Sequence, residues 1–129
     1  MNPNSTTTDD VEQAAAVVLR RTAAAAHALA DLAARDDRYD QLAALATASY
    51  ATEATAYLPL PDSAPQITDR EADQDLVRQL TALADALDAL ARTSPDVPQA
   101  RDRHMAALHT RDAATALRNA LPVEQGAAG

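Results

Sequence analysis

Five leucines in the second half of the chain follow one another at spacings of four, three, four and three residues: Leu76, Leu80, Leu83, Leu87 and Leu90. Each residue of an α-helix turns by about 100°, so these side chains share one narrow stripe of a helix. Charged residues lie on the other sides. The pattern predicts an amphipathic helix over residues 69–92. Its five leucines, the leucine stripe, should face either a core or an interface.

The residues available to cover the leucine stripe are mostly alanines. The 129-residue chain has 34 Ala, and its large aliphatic side chains are fifteen Leu, six Val, one Ile and two Met. Alanine is the strongest helix former, so this composition favours an all-α fold. Helices covered by alanine exclude water only when they approach closely. Because leucine contributes most of the burial, the core of a single chain is small. We expect a homodimer or a partner helix, with the leucine stripe as the partner-binding surface.

Local signals mark where the helices begin and end. Three prolines within residues 58–67 prevent regular helix and predict a Pro-rich linker there. Three helical stretches are preceded by a capping side chain with Glu or Gln three residues later, which satisfies the free N–H groups of a first turn. These pairs are Asp9 with Glu12, Thr68 with Glu71, and Asp96 with Gln99. They predict helix starts near residues 10, 69 and 97.

The charged run at residues 35–38 leaves two interpretations of the first half of the chain. It contains neither Gly nor Pro, and the heptad register continues through it, so a single helix over residues 10–57 would be roughly 70 Å long. Alternatively, Asp36 or Asp37 caps a second helix. We favour the break, because a continuous helix would place Asp36 unpaired on the core stripe, and burying a lone carboxylate is costly.

The predicted architecture is therefore a four-helix bundle, with helices at about 10–35, 38–57, 69–92 and 97–120. The alternative is one long helix over 10–57 with a helical hairpin, 69–120, packed on part of it. In both versions residues 10–121 form a single domain. Residues 1–9 and 122–129 are expected to be flexible segments on either side of it.

Charge and composition narrow the classes of partner and the compartment. The formal net charge is −8, whereas nonspecific nucleic-acid affinity comes from clustered Lys and Arg. The first ten residues have neither a basic start nor an apolar run, so no signal peptide is expected. No stretch approaches the roughly 18 apolar residues that a membrane helix requires. We expect a cytoplasmic protein that binds neither membranes nor, in the main, nucleic acids.

The residue types that carry catalysis or bind metals are sparse. The chain has no Cys, and none of its four Glu residues is followed by a His three residues later, as di-metal helical bundles require. His104 and His109 are five residues apart and cannot face one metal on a helix. Only Gly126 and Gly129 are glycines, so no loop can cradle a phosphate. The sequence predicts a non-enzymatic protein without metal or cofactor.

The primary functional prediction is a helical protein–protein interaction or self-association module. Two alternatives rest on clusters of polar side chains. Tyr39, Tyr50, Glu53 and Tyr57 share one helical stripe and could bind a small ligand, or the tyrosines could simply fill space beside an alanine-rich helix. Arg101, Arg103, Arg111 and Arg118 could make the last helix a DNA-associated surface, or pair with the acidic residues of the preceding helix.

Overall fold

The computed structural model describes residues 3–59 and 72–122, with side chains described from Asp10 onward. It contains four helices: α1 (Pro3–Ala33), α2 (Gln41–Thr55), α3 (Gln74–Thr93) and α4 (Val97–Ala120). The described residues include no β-strand. The predicted all-α four-helix bundle is confirmed. The alternative of a single helix over residues 10–57 is wrong, because residues 34–40 are not helical.

The break between α1 and α2 is a compact charged turn. The Asp36 carboxylate accepts the backbone N–H of Arg38 at 3.1 Å and its Nη2 at 2.7 Å. Because Asp36 is engaged within the turn, the capping role falls to Asp40, whose side chain accepts the Ala43 N–H at 3.1 Å. The predicted break is therefore present, but the N-cap is Asp40 rather than Asp36 or Asp37.

Two of the three predicted helix starts also differ from the structure. α1 begins at Pro3, so Glu12 lies inside the helix and does not form a capping box with Asp9. α3 begins at Gln74, and its N-cap is Asp73, which accepts the Leu76 N–H at 2.9 Å. The predicted start at residue 69 is wrong because Ala72 and Asp73 are not helical; Thr68 and Glu71 lie outside the described residues.

The last helix matches its prediction at both ends. α4 covers residues 97–120, and Asp96 caps it by accepting the Gln99 N–H at 3.0 Å. Pro98 occupies the first turn, where its missing N–H costs no intrahelical hydrogen bond.

The helices pack as two hairpins that meet along α2 and α4. α1 lies against α2, α3 lies against α4, and α1 touches α3 only lightly. A hydrogen bond of 3.1 Å from the Asp40 N–H to the Ala120 carbonyl joins the start of α2 to the end of α4, so these helices are antiparallel. α3 and α4 are joined by a short turn and are antiparallel as well.

It follows that α2 and α3 run in the same direction, on opposite corners of the bundle. The end of α2 and the start of α3 therefore lie at opposite ends of the bundle. Of the predicted linker, residues 58–67, only Leu58 and Pro59 are described; likewise only Pro122 is described in the predicted tail, 122–129.

The leucine stripe closes the core within one chain. Leu76, Leu80 and Leu87 are completely buried, and Leu83 and Leu90 are half-buried. Leu19 and Leu117 meet them from α1 and α4, and alanines fill most of the remaining contacts. The stripe is therefore not free to bind a partner, which corrects the prediction that Leu76, Leu80, Leu83, Leu87 and Leu90 form the partner-binding surface.

Candidate interaction surface on the second helix

α2 is the least polar helix of the bundle, and one side of it faces solvent. Its 15 residues include a single charged side chain, Glu53. A helix that is apolar all round is normally buried on all sides. α2 packs only against α1 and α4, however, and leaves an outer face made of Leu42, Leu45, Ser49, Thr52 and Ala56. These five residues are called the outer face of α2 below.

Two leucines dominate the outer face of α2. Leu42 is 80% exposed and Leu45 is 44% exposed. Leu42 is the most exposed large apolar residue in the described part of the chain. Such residues are unremarkable singly, but here they lie on a helix that carries no charge from Gln41 to Thr52. The outer face of α2 is therefore an uncharged strip, with two leucines at one end, on a strongly acidic protein.

The threonine hydroxyls of α2 do not oppose the burial of this face. The Thr52 hydroxyl donates to the Ala48 carbonyl at 2.8 Å, and the Thr55 hydroxyl donates to the Thr52 carbonyl at 2.6 Å. Each donor is satisfied by the backbone of its own helix. Covering Thr52 would therefore leave its hydroxyl donor paired, which keeps the cost of removing water at this position low.

A polar cluster lies between α2 and α4, beside the outer face. The Tyr57 ring stacks on the His109 ring with centroids 5.6 Å apart and planes at 19°. The His109 Nδ1 lies 3.4 Å from a Glu53 carboxylate oxygen. Helical spacing places Glu53 and Tyr57 on one side of α2, and His109 reaches them from α4. His109 could not be predicted as the third member, because nothing local identifies which residue of a distant helix will face Glu53 and Tyr57.

The predicted ligand-binding set is only partly assembled. Glu53 and Tyr57 come together, and Tyr50 is half-buried on the same side of α2. Tyr39 precedes α2 at its other end, where the Arg38 guanidinium lies 5.7 Å from its ring. A shallow depression at the α1–α2 turn is lined by residues 32–37, which include none of the four. The four residues therefore do not form one pocket.

Two of the four arginines predicted to form a basic surface on α4 pair with acidic residues of the protein itself. Arg103 is buried and contacts Glu12 of α1 at 2.9 Å. Arg111 pairs with Asp85 and Asp88 of α3 at 2.8 and 2.5 Å, and hydrogen bonds to these carboxylates raise its pKa. Only Arg101 and Arg118 are exposed. Pairing with the neighbouring acidic helix, the second interpretation of this cluster, is confirmed for Arg111.

No protein-family model, curated protein or solved structure matches the chain. Within residues 3–59 and 72–122, no helix combines the length and the apolar character that a membrane crossing requires. The same ranges hold no group of three or more His, Asp or Glu side chains placed to bind a metal ion. What the protein does is therefore inferred from its surface.

Proposed function

We propose that the protein is a non-enzymatic self-association module whose contact surface is the outer face of α2. The observation that carries the proposal is the 80% exposure of Leu42 on an uncharged helical face. Complete burial of a leucine contributes about 1.5–3 kcal/mol. Two copies that covered Leu42 and Leu45 together would bury two largely exposed and two partly exposed leucines.

The distribution of charge supports a second copy at this place. Two chains of net charge −8 repel each other over most of their surfaces. The repulsion is smallest where the contact itself is uncharged, and α2 has one charged residue among 15. A helix of another protein could use the same face, but the face is where self-association meets the least electrostatic resistance.

The test is the molecular mass in solution, measured by light scattering or sedimentation over about 1 to 500 μM. Dimers of this face bury a modest area, so we expect a reversible monomer–dimer equilibrium within this range. Leu42→Glu should shift the protein to monomer. Val97→Glu is the matched control, because it changes an exposed apolar residue, 70% exposed, to the same acid at the far end of the bundle.

A monomeric mass for the unmodified protein across the whole concentration range would contradict the proposal. Equal loss of dimer in Leu42→Glu and Val97→Glu would also contradict it, because the effect would then follow from charge alone. Helicity by circular dichroism should be the same in all three proteins, since both substituted residues are exposed.

A second candidate function is small-ligand binding beside Glu53. The observation that favours it is the cluster of Glu53, Tyr57 and His109, which combines an exposed carboxylate with stacked rings. A metabolite thermal-shift screen tests it: a ligand of this cluster should stabilise the unmodified protein and lose its effect in Glu53→Gln. Stabilisation that persists in Glu53→Gln would place the ligand elsewhere.

A further inference from the structure

Opposite charges flank the outer face of α2. Glu53 lies on the side of α2 next to α4, where it approaches His109. On the other side, the Ala30 carbonyl of α1 accepts a hydrogen bond from the Gln41 side chain, so the line of Ala16, Ala23 and Ala30 faces α2. Arg20 follows Ala16 by one turn and is half-buried, which places it on the outward edge of that line. Across the surface, the positive Arg20 comes first, the uncharged outer face of α2 second and the negative Glu53 third.

The two charges also lie at the same height along the bundle. α1 and α2 are antiparallel, and Ala30 lies beside Gln41. Counting back ten residues on α1 and forward ten on α2 puts Arg20 beside Ala51. Glu53 is two residues further, about 3 Å along the helix axis. Arg20 and Glu53 therefore bracket the outer face at the level of Ser49 and Thr52, about 15 Å along the helix from Leu42.

Both charged groups are available for a partner. Within the described part of the chain, Arg20 makes no ion pair, and its Nε is buried without a hydrogen bond. The Glu53 side chain is 54% exposed, and its ion-pair neighbour is the His109 ring rather than an Arg. The Nε is covered by the protein itself, so a carboxylate of another molecule would pair with the terminal nitrogens of Arg20, which make no hydrogen bond within the described part of the chain.

We propose that two copies associate about a two-fold axis parallel to α2, with Arg20 of each copy paired to Glu53 of the other. This inference rests on the proposed self-association. With Arg20 on one edge of the outer face and Glu53 on the other, the surface is complementary to itself only under that rotation. The rotation sets the α1 side of one copy on the α4 side of the other. A two-fold axis perpendicular to α2 would set Arg20 edges against each other and Glu53 edges against each other. The two α2 helices therefore run in the same direction.

Charge reversal tests the pairing. Arg20→Glu and Glu53→Arg should each raise the dissociation constant of the dimer by roughly tenfold or more, because each creates two like-charge contacts. The double variant Arg20→Glu/Glu53→Arg should restore the affinity, and it keeps the net charge of −8. Arg21→Glu is the matched control: it makes the same charge change at a half-buried Arg whose Nε is also unpaired, one residue and 100° away on α1.

Cysteine cross-linking tests the direction independently, because the chain has no Cys of its own. Ser49→Cys and Ala56→Cys, made separately, should both form disulfide-linked dimers on mild oxidation. In an antiparallel pair only a residue at the two-fold axis meets its own copy, so these positions, about 10 Å apart along α2, could not both cross-link.

The outcomes separate the inference from the proposed function. A dimer that Leu42→Glu abolishes, but that charge reversal does not rescue or that cross-links at only one of the two positions, would overturn the parallel arrangement and leave self-association standing. A monomer at all concentrations would overturn both. Rescue by the double variant with cross-linking at both positions would support both.

Discussion

Glu12 of α1 and Arg103 of α4 form an ion pair inside the bundle, with 2.9 Å between Oε1 and Nη2, although 91 residues separate them. Their side chains are 11% and 8% exposed. Arg103 also donates to the hydroxyl of Ser94 in the α3–α4 turn, and its Nε has no partner. The pair connects the first hairpin to the second through a core made mostly of alanine and leucine.

Breaking this ion pair on one side should be costly. Glu12→Leu leaves the Arg103 guanidinium buried without its carboxylate, and the expected loss is about 3–5 kcal/mol in the free energy of unfolding. Replacing both partners, as in Glu12→Leu/Arg103→Met, should recover most of that loss because no charge remains buried. Urea denaturation measures both variants. If the double variant is no more stable than Glu12→Leu, the cost lies in packing rather than in the unpaired charge.

The leucine stripe should show graded sensitivity to truncation. Leu87→Ala removes a completely buried side chain, so we expect a loss of about 2–5 kcal/mol. Leu83→Ala should cost less, because Leu83 is half-buried and less of its surface returns to water on unfolding. Thermal or denaturant unfolding of the two variants compares them directly. An equal loss at both positions would show that Leu83 is covered more fully in solution, as it would be by a partner.

The N-cap of α2 offers a test of the corrected helix start. Asp40→Ala removes the acceptor for the Ala43 N–H and should cost about 1 kcal/mol. Asp37→Ala is the control, since Asp37 is exposed in the same turn and does not cap the helix, and its effect should stay within about 0.5 kcal/mol. Equal losses in the two variants would mean that charge, not capping, is the source.

Acid should remove one specific contribution to stability. Burial raises the pKa of Asp88, but hydrogen bonds from Arg111 and then His104 outweigh it, and the net pKa lies below 3.8. A carboxylate whose pKa is lowered in the folded state stabilises the protein above its unfolded pKa, and the contribution is lost as pH falls through the folded value. Asp88→Asn should therefore be less stable than the unmodified protein at pH 7, with a gap that closes below pH 3.8.

The control for this pH dependence is Asp85→Asn. Asp85 contacts the same Arg111 but its side chain is 68% exposed, against 17% for Asp88, so solvent weakens its interaction. Unfolding midpoints of the two variants and the unmodified protein, measured at pH 7 and at about pH 2.5, show how each stability gap depends on pH. A gap for Asp88→Asn that is unchanged in acid would mean that the pair with Arg111 does not lower the pKa of Asp88.

Periodicity and capping chemistry made the four helices predictable, and α4 was predicted at both ends. These signals are local, and they fail where competing local partners exist. Asp36 could have capped α2, but its carboxylate holds Arg38 instead and leaves that role to Asp40. Thr68 and Glu71 form a capping pair in the sequence, but the N-cap of α3 is Asp73.

The ion pair between Glu12 and Arg103 was not predicted from the sequence, although one pattern in α4 points to it. Arg103 lies on the same line of α4 as Thr110 and Leu117, each seven residues further, and both of those are completely buried. A charged residue on a buried line of a helix requires a partner. Glu12 on such a line of α1 and Arg103 on such a line of α4 therefore point to an ion pair. Which two lines face each other depends on the packing of distant helices, which the sequence does not specify locally.

The packing of distant helices also decides which of two surfaces is exposed, the leucine stripe or the outer face of α2. The leucine stripe was expected to bind a partner because the residues available to cover it are mostly alanines, but α4 and α1 cover it in the bundle. Leu42 and Leu45 lie on a helix without a marked apolar side, so periodicity did not single them out. Their exposure follows from the position of α2 at a corner of the bundle, with α1 and α4 on its flanks.

The shared direction of α2 and α3 also determines how the molecule opens. Each hairpin is held by contacts that are close in sequence, whereas the alanine seam between α2 and α4 forms only after an 18-residue connection has closed. Opening between the hairpins breaks this seam together with the buried Glu12–Arg103 ion pair, and it leaves the contacts within each hairpin intact. The two hairpins should therefore separate in one cooperative step. Amide protons along the seam should exchange through that step, and their protection should fall in Glu12→Leu.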